Sequence, residues 1–123
     1  MTSDTQQRQE IRSAFDDARA KVGAFTGLYA DEDLANDILW ICDEILARVG
    51  TSPRLDQLRQ AVEACCQRLA DVTNRYCRRD PTVIAAARMQ VIVELDQIQD
   101  AALERLIGST PSSSYGMLRQ RSR

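Results

Sequence analysis

Residues 52–76 read SPRLDQLRQAVEACCQRLADVTNRY, and their spacing decides the fold class. Leu55, Leu58, Val62, Cys65, Leu69, Val72 and Tyr76 recur at alternating steps of three and four residues, so one side of a helix is apolar over three heptads. Ser52 followed by Pro53 is an N-cap and first-turn pair, because the Ser hydroxyl accepts a free backbone N–H and Pro has none to leave unpaired. The segment is therefore an amphipathic helix that needs other helices to cover it.

Working outward toward the C-terminus, Asp80 and Pro81 repeat the cap signature and open a helix that runs to about Ile107 and closes at Gly108. Ile84, Ala87, Val91, Leu95, Ile98, Ala102 and Leu106 form its apolar stripe. Toward the N-terminus, Gly50 ends a helix that begins at Asp31, a good N-cap with Glu32 and Asp33 where the helix dipole favours acids. Its core face is Leu34, Ile38, Ile41, Ile45 and Val49, widened by Leu39, Cys42 and Leu46. A first helix spans about Asp4 to Phe25, opened by Ser3 and Gln6 at capping-box spacing, with Ile11, Phe15, Ala18, Val22 and Phe25 as its stripe and Gly23 and Gly27 weakening its end. The short links at 50–52 and 79–80 predict antiparallel or sharply angled neighbours, hence an all-α, up-down four-helix bundle over residues 1–108. Residues 109–123, STPSSSYGMLRQRSR, are Ser-rich, have no apolar period, and are expected to be a disordered basic tail.

Composition agrees with this organisation. Of 123 residues 44% are apolar but only 5% aromatic, which suits helix-on-helix packing in one domain better than a strand sandwich. No segment is a long uncharged apolar run, so neither a secretion signal nor a membrane span is expected, and the cytoplasm is the expected compartment. Residues 1–108 hold thirteen basic against eighteen acidic side chains, while 109–123 hold three Arg and no acid. Fifteen of the sixteen basic residues are Arg, a bias that points to a GC-rich bacterial genome.

Much chemistry is excluded by what the chain lacks. It has no His, which removes Ser-His-Asp and Cys-His nucleophile systems and the usual general base at neutral pH. Paired Glu-x-x-His motifs for di-iron, Glu-x-x-Glu pairs for magnesium, and glycine-rich phosphate loops are all missing. Cys42, Cys65, Cys66 and Cys77 form no CxxC, and adjacent Cys65 and Cys66 leave a helix in different directions. Cys42 and Cys65 read as small apolar residues on their stripes and Cys77 as the exposed thiol. Glu94, Asp96, Asp100 and Glu104 read as a solvated face. No catalytic, cofactor or metal residue is assigned.

Two segments carry resemblances. Residues 55–79, LDQLRQAVEACCQRLADVTNRYCRR, resemble the first helix of all-helical chorismate mutases, which implies Arg59 and Arg75 as substrate-binding arginines; the family's Ile-Asp pair is missing, and Pro81 interrupts the long helix its site requires. Residues 44–62, EILARVGTSPRLDQLRQAV, look like a helix-turn-helix with Gly50 in the turn, and imply a DNA-binding regulator. There the usual small residue four before the glycine is Leu46, the downstream apolar position falls on Asp56, and the acidic body lowers attraction to phosphate.

Three surfaces are left over once the core is assigned. Trp40 lies opposite much of its helix's apolar stripe, among Asp33, Asn36, Asp37, Asp43 and Glu44, and a Trp in an acidic rim suits a basic protein partner. Ala86, Met89 and Val93 make a second stripe on the last helix, with Leu103 and Ile107 nearby, and a stripe of this kind suits a homodimer interface. Tyr115, Met117 and Leu118 precede Arg119, Arg121 and Arg123 in the tail, the makings of a short element that docks on a partner or back onto the acidic surface around Trp40. The expectation is a non-enzymatic, homodimeric protein-binding bundle whose partner site is Trp40, Asp37 and Glu44 with the tail residues Tyr115, Met117 and Leu118.

Overall fold

The computed structural model of the chain describes residues 4–27, 30–74 and 80–108. It holds four helices, α1 (Asp4–Val22), α2 (Ala30–Val49), α3 (Pro53–Thr73) and α4 (Pro81–Gly108), and no strand among the described residues. None of these helices is long and apolar enough to cross a membrane. The expected tail, together with Arg75, Tyr76 and Cys77, falls outside the described residues.

The two Pro-led helix starts form as their residues dictate. Ser52 is extended (φ −149°, ψ 163°), and its hydroxyl accepts the Leu55 N–H at 3.2 Å. Asp80 Oδ1 accepts the N–H groups of Thr82 (2.9 Å) and Val83 (3.4 Å). At the end of α2, Gly50 takes φ +84°, a left-handed conformation that spares it the Cβ clash, and donates its N–H to Leu46 O at 2.9 Å. Arg105 closes the same end from α4, its Nε donating to Val49 O (3.0 Å) and Gly50 O (2.9 Å).

Two boundaries differ from the sequence expectation. α1 stops at Val22, three residues before Phe25, because Gly23 opens a turn in which Ala24 N–H bonds Lys21 O at 3.0 Å. Phe25 is nevertheless fully buried, and its carbonyl accepts from Arg88 Nη2 at 2.6 Å. Asp31 is not the N-cap of α2 but its second residue, only 6% exposed. Its carboxylate reaches back instead, accepting the N–H of Thr26 (3.0 Å) on one oxygen and of Gly27 (2.6 Å) on the other, and Thr73 Oγ1 of α3 lies 3.0 Å from it.

The core is one cluster to which every helix contributes. Ile11, Phe15, Ala18 and Val22 enter from α1, and Ile38, Ile41, Cys42 and Ile45 from α2. On α3 the buried set is Leu55, Leu58, Val62, Cys66, Leu69 and Thr73, so Cys66 takes the place expected for Cys65, and Val72 is only half-buried. The cause is helical pitch: from Leu55 to Thr73 is eighteen residues, five turns at 3.6 per turn, whereas a strict three-four alternation has period 3.5 and drifts about 20° per heptad. A straight helix buries the former set. On α4 the expected stripe from Ile84 to Ala102 is buried, Leu106 is half-buried, and Leu103 joins the core rather than the outer stripe. Two residues on, Arg105 donates to the carbonyls of Val49 and Gly50 and so holds this end of α4 against the end of α2.

Contacts between neighbours run in opposite senses. Glu10 pairs with Arg48 and Lys21 with Asp37 between α1 and α2; Asp43 meets Arg59 and Asp31 meets Thr73 between α2 and α3. Between α1 and α4, Arg19 holds Asp96 while the later Phe25 meets the earlier Arg88. α3 and α4 make the most extensive contact, and α2 and α4 touch more sparingly across the ring. The arrangement is compatible with an up-down bundle.

Candidate functional site

Trp40 is the largest apolar side chain left in water, at 63% exposure. Helical geometry puts it there: at about 100° per residue it sits about 200° from Ile38 and so faces away from the buried Ile38, Ile41 and Ile45. Asp33, Asn36, Asp37, Asp43 and Glu44 are all exposed around it. Two of these acids are partly neutralised, Asp37 by Lys21 Nζ at 3.9 Å and Asp43 by a two-pronged contact with Arg59 (Nε 3.1 Å, Nη2 3.2 Å). The hydrogen bond to Asp43 is also the main reason the Arg59 guanidinium is held above its ordinary pKa, and Glu63, 2.5 Å from Nη1, adds to it. Asp33 and Glu44 meet no cation among the described residues. The face thus offers a flat aromatic, one indole N–H donor and uncompensated negative charge.

The second face is the outer side of α4. Met89 is 58% and Val93 38% exposed, Ala86 is exposed between them and the N-terminus, and Val83 lies at the same end at 37%. On the same side of the helix Thr82 precedes this patch, and the exposed Asp96 and Asp100, three and seven residues after Val93, follow it. It does not continue into Leu103, which is buried, and the Ile107 side chain lies outside the described residues. Of the acids along α4, Glu94 accepts from Gln90 at 3.1 Å and Asp96 is held by Arg19 (Nη2 2.7 Å), which also bonds Asp16 and Gln99, while Asp100 and Glu104 meet no cation among the described residues. No group of three or more His, Cys, Asp or Glu suited to a metal occurs among the described residues. Because α2 and α4 stand across the ring from each other and each presents its outward side, Trp40 and Met89 look out from opposite sides of the bundle.

An open cleft of about 340 Å³ lies where the start of α1 meets the ends of α2 and α4, lined by Gln7, Glu10, Ile11, Arg48, Val49 and Leu106. Its one cation, Arg48, is paired with Glu10 at 2.9 Å. Arg59, which the chorismate mutase resemblance would place in a substrate pocket, is tied to Asp43 and Glu63 on the surface instead. The three described thiols are not poised for chemistry: burial above all pushes Cys42 and Cys66 up to about 12, and burial also raises Cys65. Iodoacetamide at pH 8 should therefore leave Cys42 and Cys66 unmodified for hours in the folded protein and alkylate both at once in denaturant. Peptide mass mapping reads this directly, and early label on Cys66 would place it outside the core.

Of the residues assigned from sequence, Trp40, Asp37 and Glu44 do share one exposed face, and Ala86, Met89 and Val93 share another. Tyr115, Met117 and Leu118 lie outside the described residues. Sequence reading missed the clamp of Asp31 and the ties made by Arg19 and Arg88, whose partners are 77 and 63 residues away and leave no local pattern. Comparison of the chain with family models, curated proteins and solved structures finds no match.

Proposed function

We propose that this chain is a non-enzymatic bacterial interaction protein, a homodimer joined through the outer face of α4 that presents the Trp40 face to a basic segment of another protein. The observation that carries this reading is the exposure of Trp40 beside Asp33 and Glu44, two acids that no cation of the described surface balances. A Trp side chain buries about 150–250 Å² when covered and is a frequent binding hot spot, so leaving it in water forgoes burial that a partner supplies. The acidic rim sets the sign of that partner and speeds its approach.

The dimer part rests on Met89 and Val93, an exposed apolar pair that can pack against its own copy about a two-fold axis. Because Trp40 faces the other way, such a dimer keeps both partner faces open. Glu at both Met89 and Val93 would bury like charges against each other, so light scattering is expected to give twice 13.8 kDa for the wild type and the single-chain mass for the double variant. A wild type that is already monomeric at tens of micromolar removes the dimer from the proposal.

For the partner face, Trp40→Ala should weaken capture of a basic binding protein by at least about 30-fold, the effect of losing roughly 2 kcal/mol at a hot spot. Undiminished capture by the variant would count against the site. The alternative, a DNA-binding regulator through 44–62, is weaker: α2 and α3 touch near both ends, at Asp43–Arg59 and Asp31–Thr73, and so lie side by side rather than at the open angle of a helix-turn-helix. It requires duplex affinity that falls steeply with salt.

A further inference from the structure

We infer that the basic segment recognised by the Trp40 face is an α-helix laid lengthwise along α2, with an apolar side chain over Trp40 and two cations, eleven positions apart, facing Asp33 and Glu44. The inference rests on the proposed binding role of Trp40 and names the form and register of its partner.

The line of contact is set by α2. At about 100° per residue Asp33 lies about 20° from Trp40 around the helix and Glu44 about 40° on the same side, so the three share one outward strip. Along the axis Asp33 stands seven residues, about 10.5 Å, before Trp40, and Glu44 stands four residues, about 6 Å, after it. The acids to either side are already engaged, Asp37 toward Lys21 of α1 and Asp43 toward Arg59 of α3. Glu32, the remaining exposed acid of α2, lies about 80° from Trp40, and Arg48, the one basic residue of α2, is turned to Glu10. Asp33 and Glu44 are thus the two charges in line with the indole that a partner can neutralise.

A helix is the ligand that fits such a strip. The backbone groups of α2 are bonded within the helix and the described residues contain no strand, so an extended segment gains no main-chain hydrogen bonds here. A helix brings its own backbone satisfied, stays straight over the roughly 16.5 Å from Asp33 to Glu44, and repeats its side chains at the same rise as α2. At the crossing of about 20° usual for lengthwise pairs the two helices keep step, so the partner copies the spacing of seven and four, in either chain direction. Arg suits the two charged positions better than Lys, since it pairs with a carboxylate in two-pronged fashion. A second copy of the face would set its acids against their like, and nucleic acid or an anionic lipid surface would be repelled. The outer side of α4 does not offer the same register: Asp96 and Asp100 follow Met89 and Val93, no acid precedes them in that helix, and Asp96 is held by Arg19.

Ala- and Gln-based peptides of about 20 residues, long enough to be helical in water, are the probes. Each carries two Arg eleven positions apart. In the first a Leu lies seven positions from one Arg and four from the other, and this peptide is made in both chain orders. In the second the Leu is moved two positions, to the opposite side of the helix. With the full-length protein at low salt, the first peptide in one of its orders should bind at least about fivefold more tightly than the second. It should also shift the emission of Trp40, the single Trp of the chain, to shorter wavelength as the Leu covers the indole. Glu44→Arg should weaken this binding at least about fivefold; Glu in place of the peptide's Arg four positions from the Leu should restore it, and Glu in place of the other Arg should not. Glu44 is exposed, so the variant folds, as helical circular dichroism will verify. Preference for the first peptide, the emission shift and the selective rescue together support the inference. Equal binding of the two peptides, or failure of that selective rescue, overturns the helical register and leaves a basic segment as the partner. Binding of neither peptide, or binding that leaves Trp40 emission unchanged, overturns the inference together with the basic-segment reading of the face.

Discussion

Phe15→Ala is expected to lower the unfolding free energy by about 3–5 kcal/mol, the range for emptying an aromatic site in a packed core. Phe15 has no exposed surface, and it stands in the middle of α1, which packs on both α2 and α4. Its neighbours on the same helix, Ile11, Ala18 and Val22, are equally enclosed, so little can move into the space without exposing apolar surface elsewhere. A domain of this size has only about 5–15 kcal/mol in total, so the variant should be partly unfolded at 37 °C. Urea melts followed by circular dichroism at 222 nm would show a lower midpoint with an unchanged slope, as for a loss of stability without a change in surface exposed on unfolding. A loss under about 1 kcal/mol would mean that α1 is only loosely held, and that the core is built by the other three helices.

Asp31→Ala should cost about 2–3 kcal/mol although it removes no apolar contact. The carboxylate accepts two backbone N–H groups from the turn after α1, at Thr26 and Gly27, and the Thr73 hydroxyl beside it belongs to the last turn of α3. Stranding such donors costs about 1–3 kcal/mol each when water cannot reach them and less when it can, and this turn is only partly buried. The Thr73 hydroxyl has one proton, which it shares between Asp31 (3.0 Å) and its own helix carbonyl at Leu69 (2.8 Å), so its part of the loss is the smaller. Asp31→Asn keeps one acceptor oxygen but turns an amide toward donors, and should fall between wild type and Ala. A cycle with Thr73→Val would give a coupling of about 0.5–1 kcal/mol, and none at all would show that Asp31 serves the turn alone. Stability of Asp31→Ala within about 0.5 kcal/mol of wild type would contradict the clamp altogether.

These two residues show where sequence reading succeeds and where it stops. Phe15 was legible as core because it repeats with Ile11, Ala18 and Val22 at helical spacing, a pattern contained in one segment. Asp31 was legible as a helix-start residue, yet its work is directed backward to Gly27 and across to Thr73, 42 residues away. That Trp40, Met89 and Val93 lie off the apolar stripes of their helices was readable from spacing, but that no neighbouring element of the described structure covers them was decided by packing. The exchange of Cys65 for Cys66 was not, since periods of 3.5 and 3.6 diverge only over several turns, and the packed helix is what selects between them.

By itself the sequence determined the all-helical class, the capped starts of α3 and α4 and the Gly50 turn, because each follows from local bond geometry and the covering of one apolar side. Tertiary structure alone decided that Leu103 and Thr73 are buried, that Arg19 and Arg88 bind α1 and its turn to α4, and that the two exposed apolar faces look out from opposite sides of the bundle. Those outcomes depend on which helices stand next to one another and how each is rotated about its axis, and that is settled only when all four pack together.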